Sequence, residues 1–236
     1  MQAPTRPLAS PTAPFDSAPA DTLAAQRRGM IDSQLRTSDV TDPAILAAVS
    51  AVAREAFVPV ERQAQSYADR AIMLGWGRSL NPTLTTARLI LDADIGRGDK
   101  VLLIGGATGY AAALLAELGA EVTMVEEAPA LAAHARTALA GYGAVRIVEA
   151  ALAGGAPDGA PYDRLVIDGA IEHIPSALLG QLTDGARIAT GVVDRGVTRL
   201  ARAVYIDGAS AVHPLAYADL ECVALPGFAP PPRFVF

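Results

Sequence analysis

The sequence predicts an α/β protein built on a doubly wound, mostly parallel sheet with an antiparallel edge, preceded by helices. Three observations predict it. From Lys100 onward, short apolar runs alternate with segments of helical composition, the order that successive strand-helix units impose on a parallel sheet. Hydrophobic residues make up 51% of the chain but aromatics only 5%, an aliphatic balance that suits helices packed on parallel strands better than an aromatic-rich sandwich. Finally, 236 residues bury one sizeable core and favour one domain over two.

The elements follow in order. Residues 1–20 carry Pro4, Pro7, Pro11, Pro14 and Pro19 among alanines and serines, a spacing that forbids regular structure, so they read as a disordered tail before a single domain over 21–236. Asp21 to Thr37 reads as a helix with Leu23, Met30, Ile31 and Leu35 on one stripe. Asp42-Pro43 is a cap followed by a first-turn proline, and Ile45, Leu46, Val49 and Val52 recur at helical spacing behind it. Val101 to Ile104 is a strand ending in Gly105-Gly106, with a helix from Tyr110 to Leu118. Glu121 to Val125 is a second strand, Pro129 to Tyr142 its helix, Val145 to Val148 a third strand and Tyr162 to Asp168 a fourth. A helix over Pro175 to Leu182, a strand over Ala186 to Val193, and β runs near Leu200–Ile206 and Leu220–Leu225 complete the pattern.

Charge and cysteine content narrow the function classes. Lys and Arg number 19 against 25 Asp and Glu, a net charge of -6, and the longest basic run is Arg27-Arg28; nucleic acid is not an expected partner. Cys222 is the only cysteine, which suits a reducing compartment and reads as a buried structural thiol. No apolar stretch reaches bilayer length, and the first residues lack the apolar core of a secretory signal. The expectation is a soluble, cytoplasmic protein with no membrane partner. His134, His173 and His213 are not spaced as metal ligands, so no metal is expected.

Ligands of open α/β sheets bind outside the carboxyl ends of the strands, where strand order reverses. After the first strand, Gly105-Gly106-Ala107-Thr108-Gly109 can turn tightly and let a ligand approach a helix N-terminus. Alone, such a turn is as often mere close packing. The second feature is Glu126, about twenty residues on at the end of the next strand, where a carboxylate accepts hydrogen bonds from ribose hydroxyls; its bland alternative is a solvated carboxylate beside Glu127. Together they point to a nucleoside-containing cofactor.

Longer motifs carry a resemblance. Val52-Ala53-Arg54-Glu55-Ala56-Phe57-Val58-Pro59, Tyr67-Ala68-Asp69, Gly75-Trp76-Gly77-Arg78-Ser79-Leu80-Asn81-Pro82 and Val101 to Tyr110 follow V-P-R-E-x-F-V-P, Y-x-D, G-x-G-Q-T-I-S-Q-P and V-L-E-I-G-T-G-S-G-Y. Pro161-Tyr162-Asp163, Ile174-Pro175 and Gln181-Leu182 continue the likeness. From about Met30 to Leu225 the chain resembles a divergent member of the protein-L-isoaspartate (D-aspartate) O-methyltransferase family. The resemblance implies a Rossmann-like fold of the S-adenosylmethionine-dependent methyltransferase type. It implies methyl transfer from S-adenosylmethionine to the free carboxylate of an isoaspartyl residue in damaged protein, chemistry that needs proximity and desolvation more than a strong base.

The same resemblance assigns residues. Asn81 falls on the serine that positions the accepting carboxylate and Ser79 on the threonine before it, and with Asp69 these are the catalytic candidates. Gly105, Ala107, Gly109 and Glu126 fall on the cofactor positions. The family's strand-end glutamate becomes Leu103, the middle glycine of its turn Ala107, and its G-D-G becomes Ala150-Ala151-Leu152, with Glu149 as the possible substitute for the adenine-binding aspartate. Lost charge-assisted bonds of about 1.5–3 kcal/mol each weaken such a site by orders of magnitude. Asp168, where the family has small neutral residues, faces the substrate, replaces a lost cofactor contact, or caps the segment leading to Ile174-Pro175. Trp76 reads as packing, and Glu172 and His173 are not assigned to catalysis. Two readings remain open: a working carboxyl methyltransferase, and a non-catalytic binding or interaction protein that keeps the sheet and crevice.

Overall fold

The computed structural model describes residues 20–228; the tail read over residues 1–20, all but Ala20, and the prolines at 230–232 lie outside them. Helix α1 (Ala20–Met30) passes into a π-helical turn (Ile31–Leu35) and a 3-10 turn (Arg36–Ser38), ending at Asp39 with φ 61°. One continuous α-helix was the expectation for this stretch. The ladder loosens where the Ser33 hydroxyl donates back to the Gly29 carbonyl at 2.7 Å and the Thr37 hydroxyl to the Ser33 carbonyl at 2.8 Å, bonds that compete with helical geometry. Helix α2 (Pro43–Ala51) starts as expected, the Asp42 carboxylate accepting from the Ala44 and Ile45 amides at 2.8 and 3.0 Å.

A hairpin of β1 (Ile72–Gly75) and β2 (Arg78–Leu80) and a helix α3 (Thr83–Ala93) come next, none of them foreseen from the sequence. The alternating part then runs β3 (Lys100–Ile104), α4 (Tyr110–Glu117), β4 (Glu121–Glu126), α5 (Pro129–Ala138), β5 (Val145–Glu149), β6 (Tyr162–Ile171), α6 (Ser176–Leu179), β7 (Leu182–Asp194), β8 (Val197–Val204) and β9 (Leu215–Ala218). The helix expected over Pro175–Leu182 shrinks to one turn, because β7 already begins at Leu182.

Seven strands form one sheet in the order β5-β4-β3-β6-β7-β8-β9, and the hairpin forms a separate sheet of two. Pairings from β5 through β7 are parallel; β8 and β9 add antiparallel. This is the expected doubly wound sheet with an antiparallel edge. Strand order reverses between β3 and β6, so a crevice is due above their carboxyl ends. The apolar run Leu220–Leu225 is not a strand of this sheet. It crosses over the carboxyl ends, touching β6 through a bridge of Ala224 with Ala170.

Helix α4 anchors the first turn by packing. Tyr110 to Leu115 are all buried, packed on β4 beneath and covered by α2 and the Phe57 ring, which meets Tyr110 edge-on with centroids 5.8 Å apart. Among the described residues no helix is long and apolar enough to cross a membrane, and no group of three or more His, Cys, Asp or Glu could hold a metal ion.

Candidate functional site

The turn after β3 adopts the backbone that its glycines permit. Gly105, Ala107 and Gly109 have φ of 75°, 51° and 101°; all three are positive, a conformation that glycine adopts freely and an L-residue enters at a cost of about 1–2 kcal/mol. Ala107 bears that strain without being glycine. Close packing fixes the others: a Cβ on Gly106 would lie 2.5 Å from Met124 Cγ, and one on Gly109 2.6 Å from Leu139 Cδ1.

Parallel pairing of β3 with β4 puts Ile104 beside Val125, so Glu126 emerges next to the turn. It is fully buried, and its Oε2 accepts from the Ala107 amide at 2.9 Å while Oε1 accepts from the Ala128 amide at 3.0 Å. The remaining donors come from Arg78 at the start of β2. Its Nη1 meets Oε1 at 2.6 Å and Oε2 at 2.8 Å, and its Nη2 donates to the Gly105 carbonyl at 3.1 Å. Sequence reading missed this pair, since charges 48 residues apart give no local signal. Glu126 is therefore an internally saturated carboxylate and not a solvated one.

A second buried polar cluster stands over β6. Asp168 Oδ1 accepts from Asn81 Nδ2 at 2.8 Å and from the Thr86 hydroxyl at 3.0 Å. Burial pushes its carboxyl above the usual range, against the lowering effects of those two bonds and of Arg54 and Arg78. Asn81 Oδ1 accepts from the Val223 amide at 2.8 Å, and its carbonyl accepts from Arg54 Nη2 at 2.6 Å. Arg54 is wholly buried, its guanidinium 4.9 Å from the Tyr110 ring centroid. Asn81 thus ties the end of β2, β6 and the segment at Val223 together, and its side chain is buried with one amide hydrogen and the carbonyl oxygen already engaged.

The other sequence-predicted residues are dispersed. Ser79 is half-buried in β2, Asp69 is exposed in the segment before β1, and Glu149 is exposed at the end of β5, ion-paired with Arg136. Glu149 and Glu126 are register partners on adjacent strands, so Glu149 does stand at the crevice edge. Leu103 is buried in the core. Trp76, expected to pack, is instead 68% exposed at the hairpin tip between Gly75 and Gly77. His173 bonds the Phe228 carbonyl at 3.0 Å. Leu225 was also overlooked: its side chain lies against both Gly105 and Gly169, where an added Cβ would come within 2.8 and 2.4 Å of it.

The sequence matches the family description Protein-L-isoaspartate(D-aspartate) O-methyltransferase over residues 25–214. The chain belongs to that family. A curated protein-L-isoaspartate O-methyltransferase 1 of Rhodopseudomonas palustris is 39% identical over 150 residues, 63% of this chain and 61% of its own length. The chain thus spans less than two thirds of that relative. A protein-L-isoaspartate O-methyltransferase of Methylorubrum populi is 39% identical over 147 residues, 62% of this chain and 69% of its own. Among solved structures, a protein-L-isoaspartate O-methyltransferase superposes with a TM-score of 0.73 at 19% identity, covering 85% of this chain and 66% of the other. A candidate member from Plasmodium falciparum, crystallised with S-adenosyl-L-homocysteine, gives 0.69 at 13% identity, covering 84% and 97%. These likenesses support the shared fold. Tested against an adenosyl cofactor, this family member's residues fit in kind: a carboxylate at the end of β4 beside a turn of positive φ at the start of a helix. In this structure the Glu126 oxygens are engaged by Arg78 and the two amides.

The buried hydroxyls and thiol carry a pH consequence. Burial raises the Tyr67 phenol, which also donates to Glu55, and burial likewise raises Tyr110 and the Cys222 thiol. Their folded pKa values lie above the unfolded ones, near 8.5 for a thiol and about 10 for a phenol. The stability they contribute is full below those values and is lost as pH rises past them, each group costing up to about 1.4 kcal/mol per pH unit. Urea unfolding midpoints are expected to fall progressively from about pH 8.5 upward; a flat profile to pH 10.5 would contradict this account.

Proposed function

We propose that the chain is an S-adenosylmethionine-dependent protein-L-isoaspartate O-methyltransferase that methylates a carboxylate of damaged protein. The observation that carries the reading is the family match over residues 25–214, which includes both the turn after β3 and Glu126. When bound, S-adenosylmethionine supplies an activated methyl on a sulfonium. The chain's own residues do the rest. Gly105 to Gly109 bring backbone close to the ligand, Glu126 offers acceptors to the ribose, and Glu149 at the neighbouring strand end stands on the adenine side. Ser79 on β2 and Asp69 before the hairpin are the exposed or half-exposed polar groups for the acceptor. Asn81 and Asp168 position that wall from within, through their mutual bond.

The acceptor is proposed to be an isoaspartyl-containing protein or peptide, and a cytoplasmic setting accords with the single buried Cys222. The test is transfer of labelled methyl from S-adenosylmethionine to an isoaspartyl peptide, with the matching aspartyl peptide as control. Base-labile methyl ester on the isoaspartyl peptide alone is the expected result. Binding of S-adenosyl-L-homocysteine without any transfer would instead favour the non-catalytic reading.

A further inference from the structure

Glu126 is the group that the proposed function gives to the cofactor ribose, and its acceptor capacity is already spent. A carboxylate offers roughly four lone-pair sites. Here two are met by Arg78 Nη1, one by the Ala107 amide and one by the Ala128 amide. A ribose diol arriving at Glu126 must displace donors. The two amides are fixed by the turn and by the start of α5, whereas Arg78 is carried on a hairpin that forms its own two-stranded sheet. The guanidinium can leave without breaking the main sheet. Its second nitrogen also holds the Gly105 carbonyl at 3.1 Å, and Leu225 covers the same glycine. Two side chains of the protein therefore fill the space above the first glycine of the turn.

We infer that Arg78 is an internal competitor for the nucleoside seat, and so a residue that sets cofactor affinity. Charged donors bind a carboxylate more strongly than neutral hydroxyls do, so exchanging the guanidinium for a ribose is uphill at this atom. Ligand binding proceeds only when contacts elsewhere outweigh the loss. Leu225 adds a smaller, apolar part of the same obstruction. This inference rests on the proposed function, because it takes Glu126 as a ribose acceptor.

The test is calorimetric titration of the full chain, its Arg78→Gln variant and its Leu225→Ala variant with S-adenosyl-L-homocysteine, alongside the emission of Trp76. Trp76 is the single tryptophan and lies two residues from Arg78 at the exposed hairpin tip. Arg78→Gln is expected to lower Kd at least tenfold and Leu225→Ala by a lesser factor. In the parent chain, ligand binding is expected to shift Trp76 emission as the hairpin gives up Glu126. Should Arg78→Gln fail to fold, the parent's emission change and the Leu225→Ala affinity decide the matter. Equal or weaker binding by a folded Arg78→Gln, or parent binding with unchanged Trp76 emission, overturns the competitor and leaves the proposed function standing. If no form binds at millimolar ligand, both fail together.

Discussion

Glu126→Ala is expected to lower the free energy of unfolding by about 3–5 kcal/mol, the usual cost of leaving one partner of a buried ion pair alone. The substitution strands the Arg78 guanidinium, whose side chain is 3% exposed, and removes the acceptor of the Ala107 and Ala128 amides. For a chain of this size, thermal midpoints fall by about 2–4 °C per kcal/mol, so the loss reads plainly in a melting curve. Adding Arg78→Met in the same chain takes away the stranded charge and is expected to recover part of the difference. A melting point within a degree or two of the parent's would mean that the pair between β2 and β4 does not form in solution.

Asn81→Ala is expected to cost about 2–4 kcal/mol, since a buried group left without its partner costs roughly 1–3 kcal/mol and more when charged. Its side chain answers two groups at once: the half-buried Val223 amide, and the buried Asp168 carboxylate that Thr86 also meets. Asn81→Ser is expected to fail in the same way, because a hydroxyl is too short to bridge both partners. The serine variant should therefore lose stability without gaining methyl transfer. Urea unfolding and the isoaspartyl peptide assay measure the two sides of this expectation, and a serine variant as stable as the parent but more active would sink it.

The contrast between these residues shows what a sequence carries. The strands β3, β4 and β6 were legible because strands buried on both faces must be continuously apolar, as Val101–Ile104 is. The place of Glu126 was legible because strand ends and the reversal of strand order define a crevice. What binds it was not, since a contact between Arg78 and Glu126 depends on how a hairpin folds back across the sheet. Helix α3 escaped because Thr83, Thr85 and Thr86 open it, and threonine is a poor helix former. All three are buried, and two are explained by tertiary bonds, Thr85 to the Glu221 carbonyl at 2.6 Å and Thr86 to Asp168. The run Leu220–Leu225 misled in the opposite direction. Its apolar residues look like a strand, yet Leu225 packs down on Gly105 and Gly169 and Cys222 on Gly191.

That crossing segment also orders events during synthesis. Val223 meets Asn81 across 142 residues of chain, and non-local contacts of this kind form late because the intervening loop must first be closed. A chain emerging from the ribosome can assemble β3 to β6 while the piece that roofs them is still being translated. Until that segment has emerged, the strand ends stand open to water, and the crevice is finished only when Val223 reaches Asn81.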